Sequence, residues 1–446
     1  MALVALLGLL ALPVAHVDDR AITRSDLDAA SAGRTEALHG QLARLVEETT
    51  WRVIDARLPP PEVSLQAPSA AEVAARRAQV GDGLDPSVVD EAVRWQIEKE
   101  RREVALVEAR RELHEAAAAR VELPATAQLD RILPPALTVG WVGDEPIPAA
   151  DVERAAALAL YRLRGELHRE RERSLERIIE ERLLTDEAAR RGVAVTGLLP
   201  LVAVSEGDIR RYVESRTVEG AKRPDPERVR PLLESRARHE ARADLLASLR
   251  KNANIEVFLE APAVPRFAVP EAAAPALGPE EAPPTRQIVA FVNYRDSGAR
   301  LVHAELDRVL EVRPEVRIVL RDFVPGFDPT AQGAALLGRC ADAAGVFAAW
   351  RGHALARTPP RAYGAALFDE SALARFAQEA QVDVPTLKTC VSDPATAAAI
   401  DRDTAVATRL GFSTAPALVV AGRPLTGVQS AGTILAVLDE AESRSD

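Results

Sequence analysis

An internal repeat occupies most of the first 260 residues of this 446-residue chain. Leu12–Leu58 aligns without a gap to Leu137–Leu183, at a constant offset of 125 residues. A second block, Pro86–Leu123, is similar to Pro226–Val257, since each begins with proline and continues as a charged amphipathic pattern. A fixed period of this kind indicates two copies of one supersecondary unit, here a mostly helical one.

The second copy carries an ordered set of motifs. A strand-and-turn pattern at Trp141–Glu153 precedes a helical pattern at Leu175–Val193 and a helix start at Val204–Ser215. The set resembles the N-terminal chaperone domain of SurA and related peptidyl-prolyl isomerases. That resemblance predicts a SurA-N-like helical module at 137–260 and a divergent copy of it at 12–132. It implies unfolded or exported polypeptides as partners.

Two features limit what this resemblance implies. SurA-like proteins usually carry a parvulin domain, and no segment of this chain has the length or pattern of one. After the second copy, residues 261–285 are rich in proline and alanine. Such a composition packs poorly and predicts a semi-rigid spacer between domains. Prolyl isomerase activity is therefore not expected.

The last part of the chain carries five patterns in a fixed order: Phe291–Tyr294, Val316–Phe323, Leu337–Trp350, Leu387–Val391 and Gly411–Gly422. Their order and spacing resemble the DsbA-like branch of the thioredoxin superfamily. This resemblance implies an α/β thioredoxin-like domain with a helical insertion at 286–443. The whole chain is accordingly predicted to be an α+β multidomain protein, with mostly helical repeats followed by this domain.

The active-site motif of that family is absent from the sequence. Where the family places C-x-x-C, this chain has Asp296, Ser297, Gly298 and Ala299. An aspartate at this place is a good N-cap for the following helix, because its carboxylate accepts free backbone N–H groups. The alternative, a carboxylate acting as general base, has no histidine or serine nucleophile nearby in sequence. We expect no catalytic residue here, and hence no enzyme of the thiol-disulfide class.

The resemblance also assigns roles to two other groups of residues. The loop Thr414, Ala415 and Pro416 corresponds to the cis-proline loop of the family and implies backbone pairing with an extended peptide, which needs no thiol. Cys340 and Cys390 fall where relatives often carry a non-catalytic pair, which implies a structural disulfide. The alternative is two buried free thiols that act as small hydrophobic side chains.

Composition excludes several other function classes. The net charge of −11 and the scatter of arginine among glutamate argue against a nucleic-acid partner. The seven histidines form no cluster with metal-ligand spacing, and no phosphate-binding glycine-rich loop is present. We therefore expect no metal and no cofactor.

The chain begins with an apolar stretch, Ala2–Leu12, that is typical of a secretory signal but lacks a basic start. We interpret residues 1–11 as an atypical, truncated signal segment whose true start lies upstream; the alternative is an apolar lead-in to the first strand of a cytosolic protein. We expect a periplasmic protein without an integral membrane span. Three hypotheses on function remain open. The first is a periplasmic chaperone-like protein with a redox-inactive thioredoxin-like domain as peptide platform or scaffold. The alternatives are a thiol-disulfide oxidoreductase and a structural subunit of an envelope complex; the sequence does not specify the oligomeric state.

Overall fold

The computed structural model of the protein describes residues 13–77, 86–199, 204–216, 224–326, 328–357 and 370–444. Helices and three separate sheets together confirm the α+β fold class. The described residues belong to two compact units, and each unit combines two stretches of the chain. The first unit lies within 1–41 and 163–262, and the second within 42–162 and 263–446. The signal segment expected at residues 1–11 lies outside the described residues.

The two copies of the repeat have the same order of elements, except that the first long helix of the first copy corresponds to two consecutive helices in the second. The first copy contains β1 (Pro13–Val17), β2 (Arg20–Thr23), α1 (Arg24–Asp55), α2 (Ala70–Arg77), α3 (Pro86–Ala116) and β3 (Arg120–Val121). The second contains β4 (Thr138–Val142), β5 (Glu145–Pro148), α4 (Ala149–Ala155), α5 (Ala157–Arg191), α6 (Glu206–Arg216), α7 (Pro226–Asn252) and β6 (Ile255–Val257). Helix α5 ends where Gly192 adopts a φ of 67°, a conformation that glycine allows at low cost. Helix α6 begins after Ser205, whose Oγ accepts the N–H of Asp208.

The last strand of each copy pairs with the hairpin of the other copy. Strand β6 pairs antiparallel with β1 and places Val257 opposite Ala15. Strand β3 pairs antiparallel with β4 and places Val121 opposite Gly140. Ala15 and Gly140 are separated by the repeat offset of 125, so the two exchanged strands occupy equivalent positions in their sheets.

This exchange means that the copies of the repeat are not the units of packing. The predicted modules at 12–132 and 137–260 mark the copies along the sequence, whereas each three-stranded sheet needs strands from both. In the first unit, Leu27 of the first copy packs in one core with Ile179 of the second. A two-stranded hairpin alone is marginally stable in water, which is the physical reason for a third strand and a shared core.

The C-terminal part of the chain contains the segment 286–443, for which the sequence predicts a thioredoxin-like domain, and is called the thioredoxin-like part below. It is built on a five-stranded sheet with the order β11–β10–β8–β9–β7. Its strands are β7 (Ala276–Leu277), β8 (Gln287–Val292), β9 (Arg317–Asp322), β10 (Ala417–Val420) and β11 (Arg423–Thr426). Strands β8 and β9 are parallel, and β10 is antiparallel to both β8 and β11. The central strand β8 is apolar and mostly buried, as a strand covered on both faces requires.

Helices cover this sheet and form the insertion that the sequence predicts. They are α8 (Ala299–Val312), α9 (Pro329–Ala343), α10 (Phe347–Arg357), α11 (Glu370–Ala380), α12 (Val384–Val391), α13 (Pro394–Arg409) and α14 (Ala431–Glu442). Trp350 and Phe376 are fully buried in the same core cluster as the apolar residues of β8 and β9. The insertion therefore shares one hydrophobic core with the sheet.

The proline- and alanine-rich segment 261–285 differs from the spacer that its composition predicts. From residue 263 onward it lies along the thioredoxin-like part. The N–H of Phe267 donates to the carbonyl of Gly422, and the N–H of Leu320 donates to the carbonyl of Pro275. Strand β7 within it pairs with β9, and the ring of Phe267 packs against a buried apolar cluster. Main-chain pairing and one aromatic side chain thus fix a segment whose composition alone indicates an extended linker.

Among the helices that the structure describes, none is both long and apolar enough to cross a membrane.

Candidate functional site

The loop that replaces the C-x-x-C motif joins β8 to α8. The carboxylate of Asp296 accepts the N–H of Gly298 at 2.7 Å, and its carbonyl accepts the N–H of Ala299 at 3.0 Å. Helix α8 begins at Ala299, and its N-cap is Gly298 with no side-chain capping bond. The expectation that Asp296 is the N-cap is therefore wrong by two residues. Its carboxylate closes a turn before the helix, because the backbone at Gly298 is already helical with φ −78° and ψ −13°.

The cis-proline loop meets this turn. The peptide bond between Ala415 and Pro416 is cis. A Cβ placed on Gly298 would lie 3.1 Å from Cδ of Pro416 and 3.1 Å from Cγ2 of Val428. Three predicted site residues, Asp296, Gly298 and Pro416, thus lie side by side. The half-exposed Val428 completes this apolar contact and was not indicated by any sequence motif.

The main chain just before the cis proline offers unused hydrogen-bonding groups. Within the part of the chain that the structure describes, neither the N–H nor the carbonyl of Ala415 makes a hydrogen bond. Thr414 is exposed and Ala415 is half-buried. Beyond them, the carbonyl of Pro416 accepts the N–H of Gly427, and Ala417 enters strand β10. A free donor and acceptor next to a strand can pair with an extended peptide by strand addition.

The two cysteines lie elsewhere in the domain. Cys340 in α9 and Cys390 in α12 are joined by a disulfide, with Cα atoms 5.8 Å apart. Cys340 is 1% exposed, and no free cysteine exists among the described residues. A bridge that closes a loop of this length stabilises a fold by about 4 kcal/mol in the chain-entropy model. The arrangement is that of a structural bridge between helices of the insertion.

Helix α8, which follows the loop at Asp296–Ala299, carries a buried histidine, His303. The ring of His303 stacks on Tyr294 at 5.5 Å between centroids, and its Nδ1 accepts a hydrogen bond from Nε of Arg351 at 3.0 Å. Burial, together with the nearby charge of Arg351, lowers the pKa of His303 to about 3. A neutral imidazole with so low a pKa is a poor proton acceptor near neutral pH. It contributes packing rather than acid–base chemistry to this region.

Four charged side chains form a buried network at the end of β9. Arg321 and Arg339 both pair with Asp403, and Nε of Arg339 donates to Asp322 at 2.6 Å. Each arginine also donates to a carbonyl of the segment 261–285, namely Pro270 for Arg321 and Ala273 for Arg339. Burial raises the pKa of Asp322 to about 6, against the opposing charge of Arg339. Arg321, Asp322 and Arg339 lie within sequence patterns named above, but no pattern indicated that they meet Asp403, because the four residues lie on three elements far apart in sequence.

An Asp322→Asn variant tests the titration of this network. The folded pKa of about 6 lies above the ordinary value of 3.8, so between these values the folded protein holds a proton that the unfolded chain has released. The stabilisation from this proton is present below about pH 4 and lost as pH rises through about 6. The native protein should therefore lose stability relative to the variant by up to about 3 kcal/mol across this window. Urea unfolding of both proteins at several pH values measures the difference; a constant difference would contradict the assignment.

The second copy of the repeat contacts the thioredoxin-like part near the cis-proline loop. Leu158, at the start of α5, lies in one buried cluster with Phe291 and Phe412. A Cβ placed on Gly411 would lie 3.2 Å from Cβ of Leu158. Ala415 is packed against the same cluster. The start of this helix therefore helps to fix the loop that carries the unpaired backbone groups.

The chain matches no protein-family model and no curated protein. Solved structures similar to it include a thioredoxin-like oxidoreductase from Silicibacter pomeroyi DSS-3, with 25% identity and a TM-score of 0.34. That similarity covers 38% of this chain and 92% of the other. The α-DsbA1 protein of Wolbachia pipientis is 16% identical, with a TM-score of 0.34, covering 40% of this chain and 97% of that one.

A periplasmic thioredoxin-like protein from Salmonella enterica serovar Typhimurium is 18% identical, with a TM-score of 0.32. The similarity covers 38% of this chain and 91% of that protein. The solved structures named here are thus DsbA-like and thioredoxin-like proteins, and each resembles about two fifths of this chain.

Proposed function

We propose that this protein is an extracytoplasmic, chaperone-like protein that binds unfolded or exported polypeptides and has no thiol-disulfide activity. The observation that carries the proposal is the loop at Asp296–Ala299. It keeps its contact with cis-Pro416 but contains no cysteine, so peptide binding can persist where thiol chemistry cannot. Disulfide exchange requires a thiolate at the reacting position. The unpaired backbone groups of Ala415 supply an edge for an extended chain.

The helical repeats support the same proposal. Their sequence resembles the SurA chaperone domain, and helix α3 presents Val104 and Val107, which are 72% and 67% exposed. Two neighbouring apolar side chains on one helix face are a common element of protein-binding surfaces. The disulfide between Cys340 and Cys390 suits an oxidising compartment, which supports the extracytoplasmic location.

A thiol-disulfide oxidoreductase is the second candidate. The similar solved structures include a thioredoxin-like oxidoreductase and a DsbA protein, which favours this activity over that of a chaperone. Fold similarity alone is a weak basis for an activity, because catalysis depends on the reacting groups of the site. In this chain the two cysteines are bonded to each other and stand outside the loop at Asp296–Ala299. Peptide binding without thiol exchange therefore accounts for more of the site.

Light scattering of an unfolded outer-membrane protein, diluted from urea, tests the proposed function. The full chain at equimolar concentration should suppress most of the scattering, and ATP should have no effect because no phosphate-binding loop is present. An equal amount of an unrelated acidic protein of similar size serves as the control. Scattering equal to that control would refute polypeptide binding of the chaperone kind.

A further inference from the structure

An open groove of about 530 Å³ lies beside α3 in the first copy of the repeat. Its floor is a stacked pair, Trp51 and His114, with ring centroids 4.7 Å apart and an interplanar angle of 22°. Nε2 of His114 lies 2.7 Å from Oδ1 of Asp55, which holds the imidazole in place. Val107 and Arg110 line the side of the groove. The groove therefore combines an aromatic floor, an exposed aliphatic side chain and a rim on which Arg111 pairs with Glu115.

The equivalent position in the second copy is occupied by different residue types. Trp51 and Asp55 correspond to Glu176 and Glu180 at the repeat offset. The equivalence of the strands β3 and β6 makes Arg250 the counterpart of His114. Arg250 forms ion pairs with both of these glutamates. The second copy thus has a charged cluster where the first copy has an aromatic pair. The charged cluster is best solvated by water, whereas the aromatic pair favours contact with apolar side chains.

The second copy also shows what covers this face when the repeat is complete. There, Leu184 and Ala188 on the last turns of α5 pack with Leu246 of α7, and all three are buried. Among the residues of the first copy that the structure describes, none provides this cover. Helix α1 ends at Asp55, about three turns earlier than α5 by the repeat alignment. Leu58 is followed by three consecutive prolines, which cannot continue a helix.

The position of Arg110 on α3 is exposed for this reason, whereas the position of Val107 corresponds to Ala243, which is exposed in the second copy as well. Arg110 stands at the position of the buried Leu246, and Val107 lies one turn before it with 67% of its surface exposed. Among the described residues, Arg110 has no ion-pair partner, whereas the neighbouring Arg111 pairs with Glu108 and Glu115. An unpaired cation beside an apolar strip favours a partner that carries a carboxylate next to its apolar face.

We propose that this groove binds an amphipathic helix of a client polypeptide, with apolar residues at positions i and i+4 and an acidic flank facing Arg110. The helix takes the place that the last turns of α5 occupy in the second copy, and the Trp51–His114 pair receives its apolar side chains. This is helix-in-groove recognition, in which the anchors recur at helical spacing. The inference rests on the proposed polypeptide binding and names a site and a ligand class for it.

Fluorescence anisotropy with two labelled peptides tests the site on the full chain. Both peptides carry leucine and alanine at i and i+4, as Leu184 and Ala188 stand in α5, and one has glutamate and the other lysine on the flank. The glutamate peptide should bind at least about tenfold more tightly than the lysine peptide. An Arg110→Glu variant should reverse this preference. Equal binding of both peptides by the native protein would overturn the proposal.

Variants at the apolar face distinguish binding at this groove from non-specific hydrophobic binding of the peptide elsewhere on the protein. Val107→Glu should weaken binding of the glutamate peptide about tenfold or more, since it removes an apolar side chain from the side of the groove and places a negative charge near the acidic flank of the peptide. The matched control is Ala243→Glu at the equivalent exposed position of the second copy, which should bind as the native protein does. The double change Trp51→Glu and His114→Arg places the ion pair of the second copy in the first, and should also abolish binding while preserving the fold.

The two proposals fail in different ways. If the chain does not suppress aggregation but binds the glutamate peptide and loses it with Val107→Glu, the site stands and the chaperone function falls. If Val107→Glu binds the peptide as tightly as the native protein, the site is wrong, whatever the aggregation assay shows.

Discussion

The double variant Asp296→Cys with Ala299→Cys is expected to gain disulfide-exchange activity that the native protein lacks. Insulin reduction by the native protein should not exceed the uncatalysed rate, because both cysteines are bonded to each other outside the site. The variant should exceed that rate by at least about tenfold, since the thiol at position 299 would be the first residue of α8, and a thiol at a helix N-terminus has a lowered pKa and is a reactive nucleophile. The carbonyl of Asp296 already accepts the N–H of Ala299, so one turn holds both positions.

Two controls accompany this experiment. The single variant Asp296→Cys has no partner thiol in the loop and should not complete a catalytic cycle. A Cys340→Ser variant of the native protein should behave as the native protein does in the assay. Turnover by the native protein that disappears in Cys340→Ser would establish the oxidoreductase alternative and remove the redox-inactive assignment.

If the chain is divided into two polypeptides at the boundary between the two copies, the two polypeptides are expected to form one tight complex. If residues 1–135 and 136–446 are co-expressed as separate chains, they should copurify in equal amounts, because β3 completes the sheet of β4 and β5, and β6 completes that of β1 and β2. The shared core of Leu27 with Ile179 adds buried apolar surface. Either chain produced alone should lose cooperative thermal unfolding in its repeat portion.

Strand variants provide the control for this expectation. Proline in place of Phe258 removes the N–H that donates to the carbonyl of Val14 and should weaken copurification. The Phe258→Val variant also loses the aromatic ring but retains that donor, and should weaken copurification far less. Size-exclusion chromatography and calorimetry measure both outcomes. Independent folding of residues 1–135, with a sharp unfolding transition of its own, would contradict the exchange.

Local patterns determined much of this structure. The repeat offset of 125 predicted the equivalence of the hairpins. Gly192 and Ser205 lie at helix boundaries, and such boundaries are local features because capping depends on a few neighbouring residues. The motif order at 287–441 predicted the sheet and the helical insertion. The loop at Asp296–Ala299 and the Ala415–Pro416 pair could be located from sequence, since a turn and a cis-proline loop are short contiguous features.

Only the tertiary structure decided which copy completes which sheet, because hydrogen-bond register between distant strands leaves no local signature. The same holds for the buried network of Arg321, Asp322, Arg339 and Asp403, whose pKa effects arise from burial and not from spacing in sequence. The composition of 261–285 predicted a spacer, whereas pairing with β9 fixed it in place. The groove at Trp51 and His114 likewise depends on tertiary structure. It is open because no described helix packs on α3 there, whereas the last turns of α5 pack on α7 in the second copy.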